Sequence, residues 1–334
     1  MMLGIILCLV AVLGWYSTFV ASAVAATQLD PVTVGYASFS GHYTPMWIAV
    51  EDGLGKKYGI DLKAVYAGRM RPQQLLMSGD VPIVIATGSG ALTSHIVGAK
   101  DQVIVANFMN KVGGAIYSKP EIKSPEDLRG KTIGVGRAGS ISDSIIRYVL
   151  RAKLGLVPDR DVKLLVVGEP ALGLQTLERG IVDAAPLNMP LNLSAKKLGF
   201  RELVNYEKLG ITYPSNTVTT LRQTVVKNPE LIERFLKTLI EGLYIFKTQK
   251  EKSLAVMRKN LRGAADEILE ETYQNTLAEM ELVPTPLLSV IRSGLDILSL
   301  QYPQAKQTDA NAIFDASFVR RIEQSGFFSG LSRR

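Results

Sequence analysis

Three segments rich in glycine and serine carry the groups best suited to holding a small polar molecule. Each follows a predicted strand and precedes a predicted helix, and they span residues 38–44, 87–90 and 137–142. Helix N-termini present free N–H groups and a positive dipole end, and glycine lets the backbone approach a ligand closely. One such turn is ordinary, but three in one chain predict a site for a small, anionic ligand at the carboxyl ends of strands.

Arginine and histidine side chains lie near these segments. Arg69, Arg71 and Arg137 follow strands, where a guanidinium can pair with a carboxylate, sulfonate or phosphate, although each can also be a solvated surface charge. His42 lies in the first segment, so we expect it near the ligand. His95 falls in an apolar helical stretch and is expected to be structural. Neither histidine has a Ser or Asp partner at a catalytic spacing, and no G-x-S-x-G motif occurs.

Residues 134–139 read G-V-G-R-A-G, which matches the dinucleotide-binding fingerprint. That fingerprint also needs an acidic residue after the next strand, and Glu169 stands there. Against it, Gly134 is expected inside the strand itself, and the motif lies in mid-chain. We favour a plain strand-to-helix turn over a dinucleotide site and expect no cofactor.

The composition excludes several classes of protein. The 334 residues are 47% hydrophobic and 21% charged, as in packed globular proteins. One cysteine and two histidines argue against a zinc or copper site. The net charge of +7 is spread along the chain and mixed with acidic residues. This pattern predicts a solvated surface with a mild attraction for anions, and no nucleic-acid partner.

The first 29 residues carry no charge, since Asp30 is the first charged residue. An apolar run at 3–13 leads to small residues at 21–26, which is typical of a secretory signal peptide cleaved after Ala23, Ala25 or Ala26. No Lys or Arg precedes the apolar run, so an uncleaved membrane anchor is the alternative. We predict a signal peptide over residues 1–26 and a periplasmic or otherwise extracytoplasmic protein, which without Cys8 contains no thiol.

Strands alternate with helices through two stretches of the chain, beginning near residues 32 and 131, and from residue 229 the pattern is almost entirely helical. This order predicts α/β architecture with mainly parallel sheets. The same spacing of three residues occurs in both stretches. The residues are Leu76, Gly79 and Pro82 in the first stretch, and Leu177, Gly180 and Asp183 in the second. The repeat is either chance or the sign of two lobes of similar design.

Three segments carry a family resemblance: residues 49–62 (AVEDGLGKKYGIDL), 128–135 (LRGKTIGV) and 177–184 (LERGIVDA). They resemble motifs of periplasmic substrate-binding proteins of ABC importers, of the nitrate, sulfonate and taurine type that includes thiamine-pyrimidine-like binders. The likeness extends over about residues 31–300. Pro82 departs from it, because the family often has Asp there, and so does the leader without a positive charge.

The resemblance implies a periplasmic-binding-protein-like α/β fold of type II topology, with two lobes that each contain a mostly parallel sheet flanked by helices. After the signal peptide, it places the first part of lobe I at 27–117 and lobe II at 118–215. Residues 216–334 then return to lobe I and add the C-terminal helices.

The implied function is that of a receptor, not an enzyme. Hinge closure would trap a small, anionic organic molecule (a sulfonate, nitrate, taurine or a pyrimidine-like compound) for an ABC permease in the inner membrane, with the receptor a monomer. The alternative is an enzyme of the same fold, desulfinase-like or pyrimidine-synthase-like. The loops and the resemblance together predict these ligand-binding residues: Ser38, Phe39, Ser40, His42, Tyr43, Arg69, Gly88, Ser89, Arg137, Gly139, Ser140 and Asn188.

Overall fold

A computed structural model describes residues 29–68, 72–136, 140–168 and 170–332. The predicted signal peptide and three of the predicted ligand-binding residues, Arg69, Arg137 and Gly139, lie outside these ranges. Within the ranges, no helix combines the length and the apolar character needed to cross a membrane.

The described residues form two five-stranded sheets, with strand orders β2-β1-β3-β10-β4 and β7-β6-β8-β5-β9. In each sheet one strand runs antiparallel to its neighbours, namely β10 in the first and β5 in the second. The two sheets are therefore laid out alike, and the predicted fold class is confirmed. The strands are β1 (Asp30–Tyr36), β2 (Ile60–Tyr66), β3 (Ile83–Ala86), β4 (Gln102–Lys111), β5 (Ala115–Ser118), β6 (Thr132–Val135), β7 (Lys163–Val166), β8 (Ala184–Leu187), β9 (Arg201–Asn205) and β10 (Thr212–Leu221).

Helices flank both sheets. They are α1 (Thr44–Glu51), α2 (Pro72–Ser78), α3 (Ser89–Ile96), α4 (Ile141–Tyr148), α5 (Pro170–Glu178), α6 (Leu191–Lys197), α7 (Arg222–Lys227), α8 (Pro229–Thr248), α9 (Lys250–Asn260), α10 (Asp266–Glu279), α11 (Leu288–Leu298), α12 (Ser317–Gln324) and α13 (Phe327–Leu331). Short 3₁₀ helices add Gly41–Tyr43, Leu54–Tyr58, Pro125–Leu128, Pro303–Gln307 and Ala310–Ala312, and a π-helical turn, Val149–Lys153, prolongs α4.

The apolar pattern explains the core of the first lobe, which comprises the first sheet and the helices packed on it. All four residues of β3 are buried, as expected for a strand covered on both faces. Helix α8 presents Ile232, Phe235, Leu239 and Phe246 at helical spacing, and all four are buried in the same cluster as α1. This packing fixes α1, and with it the loop that precedes α1.

Two chain crossovers join the first lobe to the second, which is built on the second sheet. Residues 112–114 lead from β4 to β5, and residues 206–211 lead back from β9 to β10. The crossovers lie side by side, because the Tyr206 N–H donates to the Gly114 carbonyl oxygen at 3.1 Å. The boundary predicted at residue 118 falls at the end of β5, whose residues already pair within the second sheet.

An apolar cluster also bridges the lobes. Ile145 and Ile146 of α4, in the second lobe, belong to the same buried cluster as Ile291 and Leu295 of α11. The Ser144 hydroxyl donates to the Gln301 side-chain oxygen at 3.3 Å beside this contact. Any rotation of one lobe against the other therefore has to preserve, or repack, the contact between α4 and α11.

The repeated spacing noted in the sequence occupies equivalent places in the two sheets. Leu76 and Leu177 are buried in α2 and α5, and each helix is followed by a glycine of positive φ, Gly79 at 83° and Gly180 at 68°. The chain then enters β3 or β8, the third strand in each sheet order. At the last repeated position, Asp183 and Pro82 make different contacts.

Asp183 links three segments of the second lobe. Its Oδ1 accepts from Lys119 Nζ at 2.8 Å, and its Oδ2 accepts from the Thr132 N–H at 2.9 Å. Partial burial pushes the pKa of this carboxyl up, but the hydrogen bonds from Lys119 and Thr132 outweigh it and hold the pKa below its usual value. Pro82 offers only its carbonyl oxygen, which accepts from the Thr220 hydroxyl at 2.8 Å.

We expect Asp183→Ala to lower the free energy of unfolding by about 1–2 kcal/mol near neutral pH, because two charge-assisted hydrogen bonds are lost from a partly exposed site. The folded-state pKa lies below the unfolded value, so this stabilisation is present above the unfolded pKa and disappears as the pH falls through the folded pKa. Urea unfolding at about pH 7 and about pH 3 checks both points. An equal difference between variant and wild type at the two pH values would contradict the assignment.

Candidate ligand-binding site

A cleft with three adjoining chambers lies where strand ends of the two sheets face each other. The glycine–serine chamber, of about 560 Å³, is bordered by residues that follow β1, β3, β6 and β7. The middle chamber, of about 320 Å³, shares Thr87, Ile141 and Ser142 with it. The α10 chamber, of about 690 Å³, shares Ser40, His42 and Glu279 with the middle chamber.

The glycine–serine chamber contains the first residues of helices from both lobes. Ser89 begins α3, and its hydroxyl lies 2.7 Å from that of Thr87. Ser140 caps α4, where its Oγ accepts from the Asp143 N–H at 3.2 Å. Free N–H groups and hydroxyls of both lobes therefore border one cavity, the arrangement expected where polar or anionic groups are bound.

The middle chamber contains five of the predicted residues: Ser38, Ser40, His42, Tyr43 and Asn188. His42 is paired with Glu279, the last residue of α10, with 2.8 Å between Nε2 and the carboxylate Oε2. The ring and the carboxylate are each partly exposed. A histidine of the first glycine–serine segment and a carboxylate more than two hundred residues later thus form one polar group in the wall of the cleft.

An aromatic cluster supports the loop at residues 38–40. Phe39 is 51% exposed and borders the α10 chamber. Its ring lies 4.6 Å from that of Tyr66 and 5.7 Å from that of Tyr36, measured between centroids. Tyr43 is buried behind it, and burial raises the pKa of its phenol to about 12. The exposed ring of Phe39 offers an apolar surface at the cleft, while Tyr43 stays a neutral hydroxyl.

Two tyrosines of the crossover region also border the middle chamber. Tyr206 and Tyr213 are almost fully buried, and neither hydroxyl has a hydrogen-bond partner among the described residues. Burial raises the pKa of Tyr206 well above its usual value. Burial also raises that of Tyr213, against a small opposing effect of the Ser89 side chain. Both phenols are therefore neutral at physiological pH.

The remaining predicted residues are placed differently. Gly88 does not border any of the three chambers in the described part of the chain; it packs on Pro214, and its N–H donates to the Pro214 carbonyl oxygen at 2.7 Å. A Cβ at Gly88 would lie 2.7 Å from Cγ of Pro214, so this glycine serves close packing. Arg69, Arg137 and Gly139 lie outside the described residues.

Sequence reasoning missed several residues that border the middle chamber, namely Glu279, Tyr206, Tyr213 and Asn216. Glu279 ends a helix of ordinary composition, and no local motif marks it. Tyr213 and Asn216 lie at the start of β10, directly after the return crossover, and no local motif marks them either.

His95 has the structural role predicted for it. It is buried, and its Nε2 lies 2.8 Å from the Gln102 carbonyl oxygen. Burial lowers the pKa of its ring, opposed by that hydrogen bond. Among the described residues, no group of three His, Cys, Asp or Glu side chains is placed to hold a metal ion.

The fold is shared with solved structures of binding proteins and of an enzyme. The periplasmic aliphatic sulphonate binding protein SsuA from Escherichia coli superimposes with a TM-score of 0.72 at 20% identity, over 86% of this chain and 92% of that chain. The periplasmic nitrate-binding protein NrtA from Synechocystis PCC 6803 gives 0.67 at 14%, over 89% of each chain. The desulfurization enzyme DSZB gives 0.66 at 15%, over 89% of this chain and 99% of that chain. At these identities the likeness concerns the fold alone.

Sequence comparisons give the family. No curated protein sequence matches the chain. A family model described as NMT1/THI5 like matches residues 40–252, more than half of the chain. The matched range contains His42, Asn188, both crossovers and strands of both sheets. The chain therefore belongs to the NMT1/THI5-like family.

Proposed function

We propose that this protein is the solute-binding receptor of an ABC importer, which captures a small organic molecule between its lobes and delivers it to a membrane permease. It acts outside the cytoplasm, as a monomer. The solute class expected from the glycine–serine segments is a small anion such as a sulfonate or nitrate, taurine, or a pyrimidine-like compound.

The observation that carries this proposal is the composition of the cleft wall. The middle chamber is bordered by His42 and Tyr43 of the first lobe, by Ile141 and Asn188 of the second, and by the crossovers. A molecule bound there contacts both lobes at once, so binding favours whichever arrangement of the lobes brings these walls together. The names of the sulfonate-binding and nitrate-binding structural neighbours agree with such a role.

The two crossovers supply the axis of closure. They lie side by side at the back of the middle chamber, and Gly113 and Gly114 in the first of them border that chamber. Rotation about a few such residues, with α4 and α11 kept in contact, narrows the cleft and changes the outer surface that a permease would meet.

A ligand screen tests the receptor proposal. Protein purified from its source is analysed by native mass spectrometry for a co-purified small molecule, and thermal unfolding is followed with ethanesulfonate, nitrate, taurine and pyrimidines. We expect one class to stabilise the fold by RT ln(1 + [L]/Kd), about 2.7 kcal/mol at a hundredfold excess over Kd. A folded protein that carries no small molecule and is stabilised by none of these compounds would contradict the proposal.

The second candidate is an enzyme of the same fold, favoured by one specific observation. Glu279 holds His42 at 2.8 Å, which is how a carboxylate orients a histidine base. The only cysteine of the chain is Cys8, so a cysteine nucleophile within the lobes is excluded. Mass spectrometry of the small molecules after incubation separates the candidates, because a receptor returns its ligand unchanged, whereas an enzyme yields a product of different mass or structure.

A further inference from the structure

The charged groups of the middle chamber differ from those expected around a simple anion. Among the described residues that border it, His42 and Glu279 are the only ones of the types Asp, Glu, His, Lys and Arg. The other polar groups are amides and hydroxyls, including Asn188, Ser142 and Tyr206. The one formal negative charge described in this wall is therefore the Glu279 carboxylate, which repels a bare sulfonate or nitrate.

The carboxylate retains free acceptor capacity. Its Oε2 receives the hydrogen bond from His42, while Oε1 receives none from any described residue. Oε1 lies against the first crossover, since a Cβ at Gly113 would be 2.7 Å from it. A carboxylate can accept about four hydrogen bonds, and the Glu279 side chain is 24% exposed, so a ligand in the cleft can reach it.

The position of Glu279 in α10 favours a positively polarised partner. It is the last residue of the helix, where the unpaired carbonyl groups carry a partial negative charge. A carboxylate at this end is electrostatically unfavourable, and a donor or cation beside it relieves the repulsion. Lys111, whose pKa Glu279 helps to raise, is already bonded to Glu207 at 2.7 Å.

The loop that carries His42 has a second contact with α10, besides the hydrogen bond to Glu279. Gly41, next to His42, packs directly on α10, where an added Cβ would lie 2.6 Å from both Thr272 Cγ2 and Thr276 Oγ1. The loop is therefore seated by backbone-to-helix contact. A partly exposed pair adds little stability to such a contact, and its exposure in the cleft wall makes it accessible to a ligand.

The buried Tyr206 hydroxyl supplies an independent observation. It borders the same chamber, it is neutral, and it lacks a hydrogen-bond partner among the described residues. A buried hydroxyl without a partner is costly, so a ligand acceptor that reaches it is favoured. The chamber thus presents an acceptor at Glu279 and unpaired neutral donor capacity at Tyr206.

We propose that Glu279, oriented by His42, is a subsite for an N–H donor of the solute, and that the solute is an amine that also bears acceptor groups. This inference rests on the proposed receptor function and narrows its ligand class. The shared chemistry is a nitrogen that donates to the carboxylate, whether it is an aliphatic ammonium or the amino group of a heteroaromatic ring.

Two matched pairs of probes test the inference by isothermal titration calorimetry. Taurine and ethanesulfonate differ by an ammonium group, and 4-aminopyrimidine and pyrimidine differ by an aromatic amino group. We expect the amine of one pair to bind wild-type protein at least about tenfold more tightly than its partner. Glu279→Gln should remove that preference, because the amide still accepts from His42 but carries no charge. The amine should then bind more weakly, and ethanesulfonate, which is no longer repelled, should bind at least as tightly as before.

Glu281→Gln is the control, because Glu281 is exposed and does not border the chambers among the described residues. It should keep the wild-type preference. Equal binding within both pairs, an equal loss for both partners in Glu279→Gln, or no binding of any of the four probes would overturn the inference. Tight binding of nitrate or ethanesulfonate without an amine preference would leave the receptor proposal standing and remove this subsite alone.

Discussion

Replacing Gly242 with alanine should lower the free energy of unfolding by about 1–3 kcal/mol, the usual cost of overpacking a core. Gly242 lies in α8 where that helix crosses α1, and an added Cβ would be 2.3 Å from the Pro45 carbonyl oxygen. The obstacle is backbone in the first turn of α1, which has no rotamer to change. The two helices must therefore separate, and urea unfolding of the variant measures the cost.

Gly173→Ala is the matched control, because it is the same substitution in a helix without the collision. In α5 the nearest atom to an added Cβ is Ala185 Cβ at 3.8 Å, an ordinary contact. Alanine is favoured over glycine within helices, so this variant should be more stable than wild type by about 0.5–1 kcal/mol. Similar stabilities of the two variants would show that α1 and α8 are not packed as closely as the structure has them.

The Gly242 prediction also concerns the cleft. Helix α1 directly follows the segment Gly41–Tyr43 that carries His42. If α1 shifts, His42 moves relative to Glu279, because Glu279 belongs to α10, which contacts α8 at a different place through the rings of Phe246 and Tyr273, with centroids 5.1 Å apart. Gly242→Ala should therefore weaken solute binding as well as stability, although the residue lies outside the cleft.

The sequence pattern predicts the regular elements of the two sheets well, because strand and helix periodicities differ strongly in these stretches. The two stretches expected to begin near residues 32 and 131 begin with β1 at Asp30 and β6 at Thr132, and Gly134 lies inside β6 as anticipated. Strand β5 is not predicted, since four residues after the pair Gly113 and Gly114 give too short a pattern. Its pairing depends on β8 and β9, whose sequences lie about seventy residues or more away.

The residues of the candidate site also differ in whether the sequence predicts them. Ser38, Ser89 and Ser140 lie where a strand leads into a helix, and the sequence order alone places such junctions at one edge of a sheet. Glu279 reaches the cleft only because α10 packs on the loop at Gly41, a contact between distant segments. Long-range contacts of this kind leave no local pattern in either partner.

Net charge does not describe the charges of the middle chamber. The chain carries +7, and the expectation of an anionic solute followed in part from it. The described wall of the middle chamber instead contains one carboxylate and one histidine. Charge summed over a surface describes the long-range field, whereas the preference of a cavity depends on the few groups that touch the ligand.

Gly114→Ala should have the largest effect on both stability and binding, with a loss of about 2–4 kcal/mol in the free energy of unfolding from backbone strain and overpacking together. Gly114 has φ 108°, a value that L side chains rarely adopt. A Cβ there would also lie 2.8 Å from the Leu187 carbonyl oxygen at the end of β8. The first crossover would have to move away from the second lobe, which opens the middle chamber.

Gly155→Ala separates the effect of backbone strain from that of overpacking. Gly155 also has a positive φ, 64°, but no atom lies within 4 Å of an added Cβ. It should cost only about 1 kcal/mol, the penalty for an L residue in the left-handed region. Urea unfolding should then give Gly114→Ala a clearly lower free energy of unfolding than Gly155→Ala. Solute affinity should fall only in Gly114→Ala. If both lost the same stability and both kept wild-type affinity, the first crossover would be a plain turn, and the axis of lobe closure would have to lie elsewhere, at the contact between α4 and α11.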